Sequence, residues 1–141
     1  MRWMLAFIPL AGCVVYETER PTPPPEPAPV NRAPYFEWGG AGCYWDRVEQ
    51  DSIWFFEAEV GDPDGVLDVV AIHADVYDGI SGHWADSFEL FPTQYADYWF
   101  SDWLGRTTYL SCDYRHYLAD LTVIDAFGDF TIVTVEPYTD F

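Results

Sequence analysis

Asp62 and Asp64 sit in the turn Gly61-Asp62-Pro63-Asp64-Gly65, and Asp125 and Asp129 bracket a second turn at Gly128. Brought together, these four carboxylates and nearby backbone carbonyls would suit calcium, a hard cation that takes roughly six to eight oxygens. Asp is equally an ordinary turn residue, and this chain is rich in it. Aromatic residues form a second set. They are densest from Tyr95 to Trp103, where Tyr98, Trp99 and Trp103 stand beside Asp97 and Asp102. Exposed rings with acidic neighbours stack on sugars or anchor protein interfaces, while buried ones simply fill a core. His73 and Asp75, two apart on one strand face, could present a metal-ligand pair, but no third ligand is evident. There is no Gly-x-Ser-x-Gly elbow, no His-Glu-x-x-His and no phosphate-cradling glycine loop. Carboxylate pairs abound without one standing out for glycosidase chemistry. The residue types point to binding or structure and not to an enzyme; a small hydrolase ranks third, behind both.

The elements that must position these residues read as β from Tyr35 onward. Phe56, Ala58 and Val60 alternate with Glu57 and Glu59, which predicts a strand with one face buried. Residues 68–77 follow as a strand with Val70, Ile72, Ala74 and Val76 on one face. A short strand is expected over Thr107–Cys112. Ala119, Leu121 and Val123 alternate inward, and Phe130–Glu136 returns after Gly128-Asp129. Residues 80–104 are the least regular stretch. No segment shows a helical period of useful length. Short strands separated by turns predict a sandwich or barrel.

The chain has 141 residues and a formal charge of −18, with 24 acidic residues against 6 basic ones, all arginine. Half of it is hydrophobic and 19% is aromatic, enough for a substantial core. The acidic balance argues against nucleic acid, whose binding needs bases to neutralise phosphates. It argues equally against docking on anionic headgroups through the domain surface. It favours solubility, cationic partners or divalent ions.

At the other end of the chain, Met1-Arg2 precedes the apolar run Trp3–Leu10, as in a secretory signal. Leu10-Ala11-Gly12-Cys13 closes that run and resembles the lipobox of bacterial lipoproteins. The resemblance implies cleavage after residue 12, a diacylglyceryl group on Cys13 and, in many bacteria, a third acyl chain. Two or more chains hold a protein stably in a bilayer. It places the protein in a bacterial cell envelope, lipid-anchored and facing the periplasm or the surface. Residues 13–34 then form a tether. Its seven prolines favour an extended chain, reaching roughly 60 Å at full stretch. With Cys13 lipidated in an oxidising compartment, Cys43 and Cys112 are left as a pair, expected to form a disulfide. Two buried free thiols are the alternative.

Tyr117 to Asp129 resembles the F strand and F–G turn of bacterial immunoglobulin-like domains, nearest the polycystic-kidney-disease type. The turn Asp62-Pro63-Asp64-Gly65 also occurs there, between strands B and C. The Trp-x-Phe-Gly-Asp-Gly element of that type is missing. The resemblance implies an all-β fold, an immunoglobulin-like antiparallel β-sandwich over 35–141. Tyr117 would be the corner tyrosine, and the two Asp-rich turns would lie at one end, near the start of the first strand. The expected role is a membrane-anchored envelope lipoprotein that binds a protein partner or is structural or adhesive. A carbohydrate-binding module that takes a glycan on exposed aromatics is the alternative.

Overall fold

A computed structural model describes residues 30–140; the expected signal segment, Cys13 and the expected tether up to residue 29 lie outside the described residues. The fold is all-β, as expected. Eight strands follow in chain order: β1 Tyr35–Asp46, β2 Asp51–Gly61, β3 Val69–Asp78, β4 Trp84–Pro92, β5 Tyr98–Leu104, β6 Tyr117–Asp125, β7 Phe130–Val135 and β8 Tyr138–Asp140. They form one sheet in the order β7-β6-β3-β4-β5-β2-β1-β8, curled into a half-barrel. All neighbours are antiparallel except β1 and β8, which run parallel. That parallel pair is a departure from the expected antiparallel fold.

The curl comes from β4. Ile72 to Tyr77 of β3 pair with Leu90 back to Trp84, whereas Phe91 and Pro92 pair with Phe100 and Trp99 of β5. One strand thus serves two leaves, β7-β6-β3-β4 and β5-β2-β1-β8, whose inner faces meet. Alternation fills the space between them. Trp54, Phe56, Ala58 and Val60 of β2 face Ile72, Ala74 and Val76 of β3 and Ala119, Leu121 and Val123 of β6, all buried. Phe56 stacks on Phe88 at 4.7 Å between ring centroids, and Trp54 meets Tyr117 edge-on at 5.8 Å. Cys43 on β1 is bonded to Cys112 in the segment before β6, with their Cα atoms 5.9 Å apart.

Three expectations about strands are corrected. Val70 does not join Ile72, Ala74 and Val76. The register shifts between Val69 and Ala71, so Val69 turns inward and Val70 outward. Thr107–Cys112 is not a strand but a 3₁₀ turn, Gly105–Thr107, and an irregular run. Thr107 and Thr108 donate through Oγ1 to the carbonyls of Leu104 and Gly105, and the Thr108 hydroxyl accepts from Leu110 N–H. Such local bonds compete with a ladder. Residues 80–104 hold two strands, β4 and β5.

Four polar groups on the inner surface of β2 and β5 are buried without a hydrogen-bond partner: the Ser101 hydroxyl and the indole N–H groups of Trp54, Trp99 and Trp103. A buried hydroxyl left unpaired costs desolvation with no return. Ser101→Ala is therefore expected to stabilise the domain by about 1 kcal/mol, read as a higher urea midpoint at unchanged slope. A lower midpoint would show that the hydroxyl is satisfied after all.

The turn after β3 is fastened by Asp78. Its carboxylate accepts from Ile80 N–H at 2.8 Å, the Tyr114 hydroxyl at 2.7 Å and Ser81 Oγ at 2.9 Å. The Ile80 N–H bond, then the Tyr114 hydroxyl, outweigh partial burial; with Ser81 they hold the carboxyl at about 2, below its usual 3.8. A depressed folded value stabilises the fold above the unfolded value and is lost as pH falls through the folded one. Asp78→Asn is expected to melt below the parent at pH 7, with the gap closing between about pH 4 and pH 2. A gap independent of pH would mean that the turn does not depend on the charge.

Candidate binding face

The outward surface of the β5-β2-β1-β8 leaf carries Trp38, Tyr44 and Tyr138 among the exposed rings. β1 is the strand that makes this possible. Opposite β2, the register passes from Phe36↔Val60 to Trp38↔Glu59, so Glu37 is an extra residue. The bulge reverses the alternation: Phe36 points into the core, and Trp38 points out. Beyond it, Gly40 and Gly42 fall on the outer surface, and their missing side chains leave room for rings. A Cβ on Gly40 would lie 2.8 Å from the Trp38 indole, and one on Gly42 would lie 2.7 Å from the Phe55 ring and 2.8 Å from the Tyr138 carbonyl. The indole therefore lies across Gly40, beside the Glu57 stem, and the phenyl ring lies across Gly42.

Neighbouring rings extend this surface. Phe55 lies 6.1 Å from Tyr44 and 6.2 Å from Tyr138, ring centre to ring centre. Tyr98 and Phe100 stand on β5 opposite Glu59 and Glu57. Trp38 remains 49% exposed and Tyr138 57%. The charged side chains among these rings are all acidic: Asp46, Glu57, Glu59 and Asp102. The Tyr98 hydroxyl donates to Glu57. Burial first, then that bond and the Glu57 charge, push the Tyr98 hydroxyl up to about 12. Burial, then Asp46 and Asp102, raise Tyr44 as well. Both phenols stay protonated and keep their donors at neutral pH.

The residues singled out from sequence are placed differently. Trp99 offers no platform. It is 7% exposed on the inner face of β5, and Trp103 packs from the same face against Phe88 at 5.7 Å. Of that trio only Tyr98 faces outward. Strand alternation makes this unavoidable, because Trp99 and Trp103 share the parity of buried Ser101. The informative signal was instead Gly39-Gly40-Ala41-Gly42 between Trp38 and Tyr44, a glycine run inside an aromatic strand.

The Asp-rich turns do meet at one end, beside the entry of the chain into β1. Their occupant is the chain itself. Asn31 Nδ2 donates to Asp125 at 2.7 Å and Asp129 at 2.8 Å. Arg32 donates to Asp64 from its backbone N–H at 2.7 Å, and its guanidinium reaches Asp64 and the Pro63 carbonyl. Asp62 accepts from Asp64 N–H at 2.7 Å. Asp125 is 1% exposed. Burial pushes its carboxyl up, but the Asn31 amide and the backbone N–H groups of Asp129, Phe127 and Gly128 together hold it below the usual aspartate value. Among the described residues no three His, Cys, Asp or Glu side chains are arranged to hold a metal ion. Of the four carboxylates expected to suit calcium, Asp125 and Asp129 hold Asn31, Asp64 holds Arg32, and Asp62 accepts within its own turn.

His73 and Asp75 share the outer surface of β3, as expected. His73 stands opposite Glu89 and Thr122, and Asp75 opposite Ser87 and Asp120. Ser87 Oγ donates to Asp75, and Thr134 Oγ1 to Asp120 at 2.6 Å. These acids are engaged by hydroxyls of their own sheet.

No family model matches this chain, and no similar protein was found among curated sequences or solved structures.

Proposed function

We propose that this chain is a lipid-anchored envelope protein whose immunoglobulin-like domain is a non-catalytic docking module. The outer face of β5-β2-β1-β8 is its docking surface. The observation that carries the reading is the row of rings on this face: Trp38 against bare Gly40, Phe55 against bare Gly42, and Tyr138 beside Phe55, with Trp38 and Tyr138 at 49% and 57% exposure. Contiguous exposed apolar surface is uncommon on proteins without a partner, and aromatic anchors dominate interface energetics.

Two further observations support the immunoglobulin-like part. Reading β1, β2 and β5 as A, B and E, and β7, β6, β3 and β4 as G, F, C and C′, gives the two leaves of such a sandwich. The Tyr117 hydroxyl accepts from Ser111 N–H at 3.4 Å, the bond back to upstream backbone that a corner tyrosine makes. The lipobox supports the anchor, and an acidic, ring-bearing surface supports a protein partner or adhesion. The rings of Trp38 and Phe55 beside bare glycines also favour a second reading, sugar stacking on the same face.

The test is a photo-crosslinking residue placed at position 44 of the intact protein in its native cells, on the same face as Trp38 and leaving that ring in place, with position 75 on the other leaf as the control. A specific protein adduct from 44 and not from 75 is expected. Recovery of a glycan instead would favour the sugar reading, and no adduct from position 44 would overturn the docking surface. Cys13→Ser should release the protein from the membrane fraction, and retention there would remove the lipid anchor.

A further inference from the structure

We infer that the aromatic face takes a basic polypeptide, whose arginine side chains stack on Trp38 and pair with Glu57 and Glu59. This inference rests on the docking surface proposed above and names what docks there.

The argument begins with charge. Asp46, Glu57, Glu59 and Asp102 are the acidic residues set among the rings, and no arginine, lysine or histidine lies on β1, β2 or β5. The arginines nearest to these strands are occupied or lie in turns. Arg32 pairs with Asp64, Arg106 pairs with Glu49 and Asp51, and Arg47 is in the β1–β2 turn. The face therefore carries several negative charges with no counter-charge of its own, in a molecule of formal charge −18. Such a field draws in cations and repels anionic lipid and nucleic acid.

Shape then selects among cations. The six-membered ring of the Trp38 indole sits over Gly40, the Glu57 side chain reaches the same spot, and Trp38 is half exposed. A guanidinium is planar; it stacks on an aromatic face and donates to a carboxylate at its edge. The indole and the neighbouring carboxylates present both halves of that recognition together. Lysine supplies the charge without the stacking plane.

Extent decides between a small amine and a chain. The outward residues of β1 run from Trp38 to Tyr44, roughly 20 Å of strand. A surface of that length, with acids spaced along it, fits several side chains of a polypeptide better than one small ion.

The test is titration of a nona-arginine peptide into the purified full chain in detergent, with nona-lysine alongside. Any cation will adhere weakly to so acidic a protein, so the decisive variant leaves charge untouched. Trp38→Ala is expected to weaken nona-arginine about five- to tenfold, the worth of a partly desolvated cation–π contact. Nona-lysine should lose less, and Trp38→Phe should keep part of the gain. Gly40→Ala, which displaces the indole without removing it, should act like Trp38→Ala. Melting midpoints of the variants establish that they are folded, since Trp38 is half exposed and its loss opens no core cavity. Nona-arginine binding within twofold of the parent for both variants would overturn the inference. So would tight, salt-independent binding of a neutral hexasaccharide abolished by Trp38→Ala. An adduct at position 44 whose formation nona-arginine, added before irradiation, does not suppress would leave the docking surface standing and remove the basic partner. No adduct at all would remove both.

Discussion

Replacing Cys43 and Cys112 together with alanine is expected to lower stability by about 4 kcal/mol, the largest effect foreseen for this domain. The bridge spans 69 residues of separation and encloses β2, β3, β4 and β5. Cross-linking such a loop removes much of the freedom of the unfolded chain, and the gain grows only slowly with loop length. The native site is also prepared for it. Cys43 is fully buried on β1, and Cys112 sits in an irregular run that pairs with no strand, so the bridge ties that run to the first strand. Thermal melts of the parent with and without thiol, beside the double variant, provide the measurement. Reduced parent and variant should melt together, well below the oxidised parent. Coincident midpoints for all three would mean that the bridge contributes nothing.

Phe56→Ala comes next, with an expected loss of about 4 kcal/mol. Phe56 is fully buried on β2, and its stacked partner Phe88 belongs to the β4 stretch that pairs with β3. Truncation therefore opens a void between the two leaves, where neither backbone can close in without breaking its own ladder. The coupling should be visible as well. In a double-mutant cycle with Phe88→Ala the two losses should fall short of additive by about 1 kcal/mol, because either truncation already removes the stack. Strict additivity in urea unfolding would show that the rings act independently.

Much of the fold was legible where one face is wet and the other dry. Phe56, Ala58 and Val60, and again Ala119, Leu121 and Val123, announce their strands because acids and polar residues separate them. β4 and β5 were hidden for the opposite reason. Tyr98, Trp99 and Phe100 are aromatic on both faces of one strand, so the period of two vanishes even though the strand is regular. Val70 was misread because a bulge shifts register, and no single-residue property marks a bulge in advance. The binding face was obscured in the same way. Trp38 turns outward only through the extra residue Glu37, while Trp99 and Trp103, in the densest aromatic run, turn inward. The meeting of the two Asp-rich turns followed from topology. That Asn31 and Arg32 would fill the space between them did not, because the tether offered no pattern linking it to residues so distant in sequence.

The parallel pairing of β8 with β1 has a mechanical consequence. β1 leaves the tether end of the domain, and β8 runs beside its far half in the same direction, Gly42 to Tyr44 against Tyr138 to Asp140. Tension applied between residue 30 and residue 139 pulls these strands past each other along their length, so their bonds share the load and do not unzip in turn. Beneath that shear joint, the Cys43–Cys112 bridge short-circuits everything from β2 through β5. Even if the joint slips, only the chain outside the loop can pay out, and the greater part of the barrel stays unstretched under load.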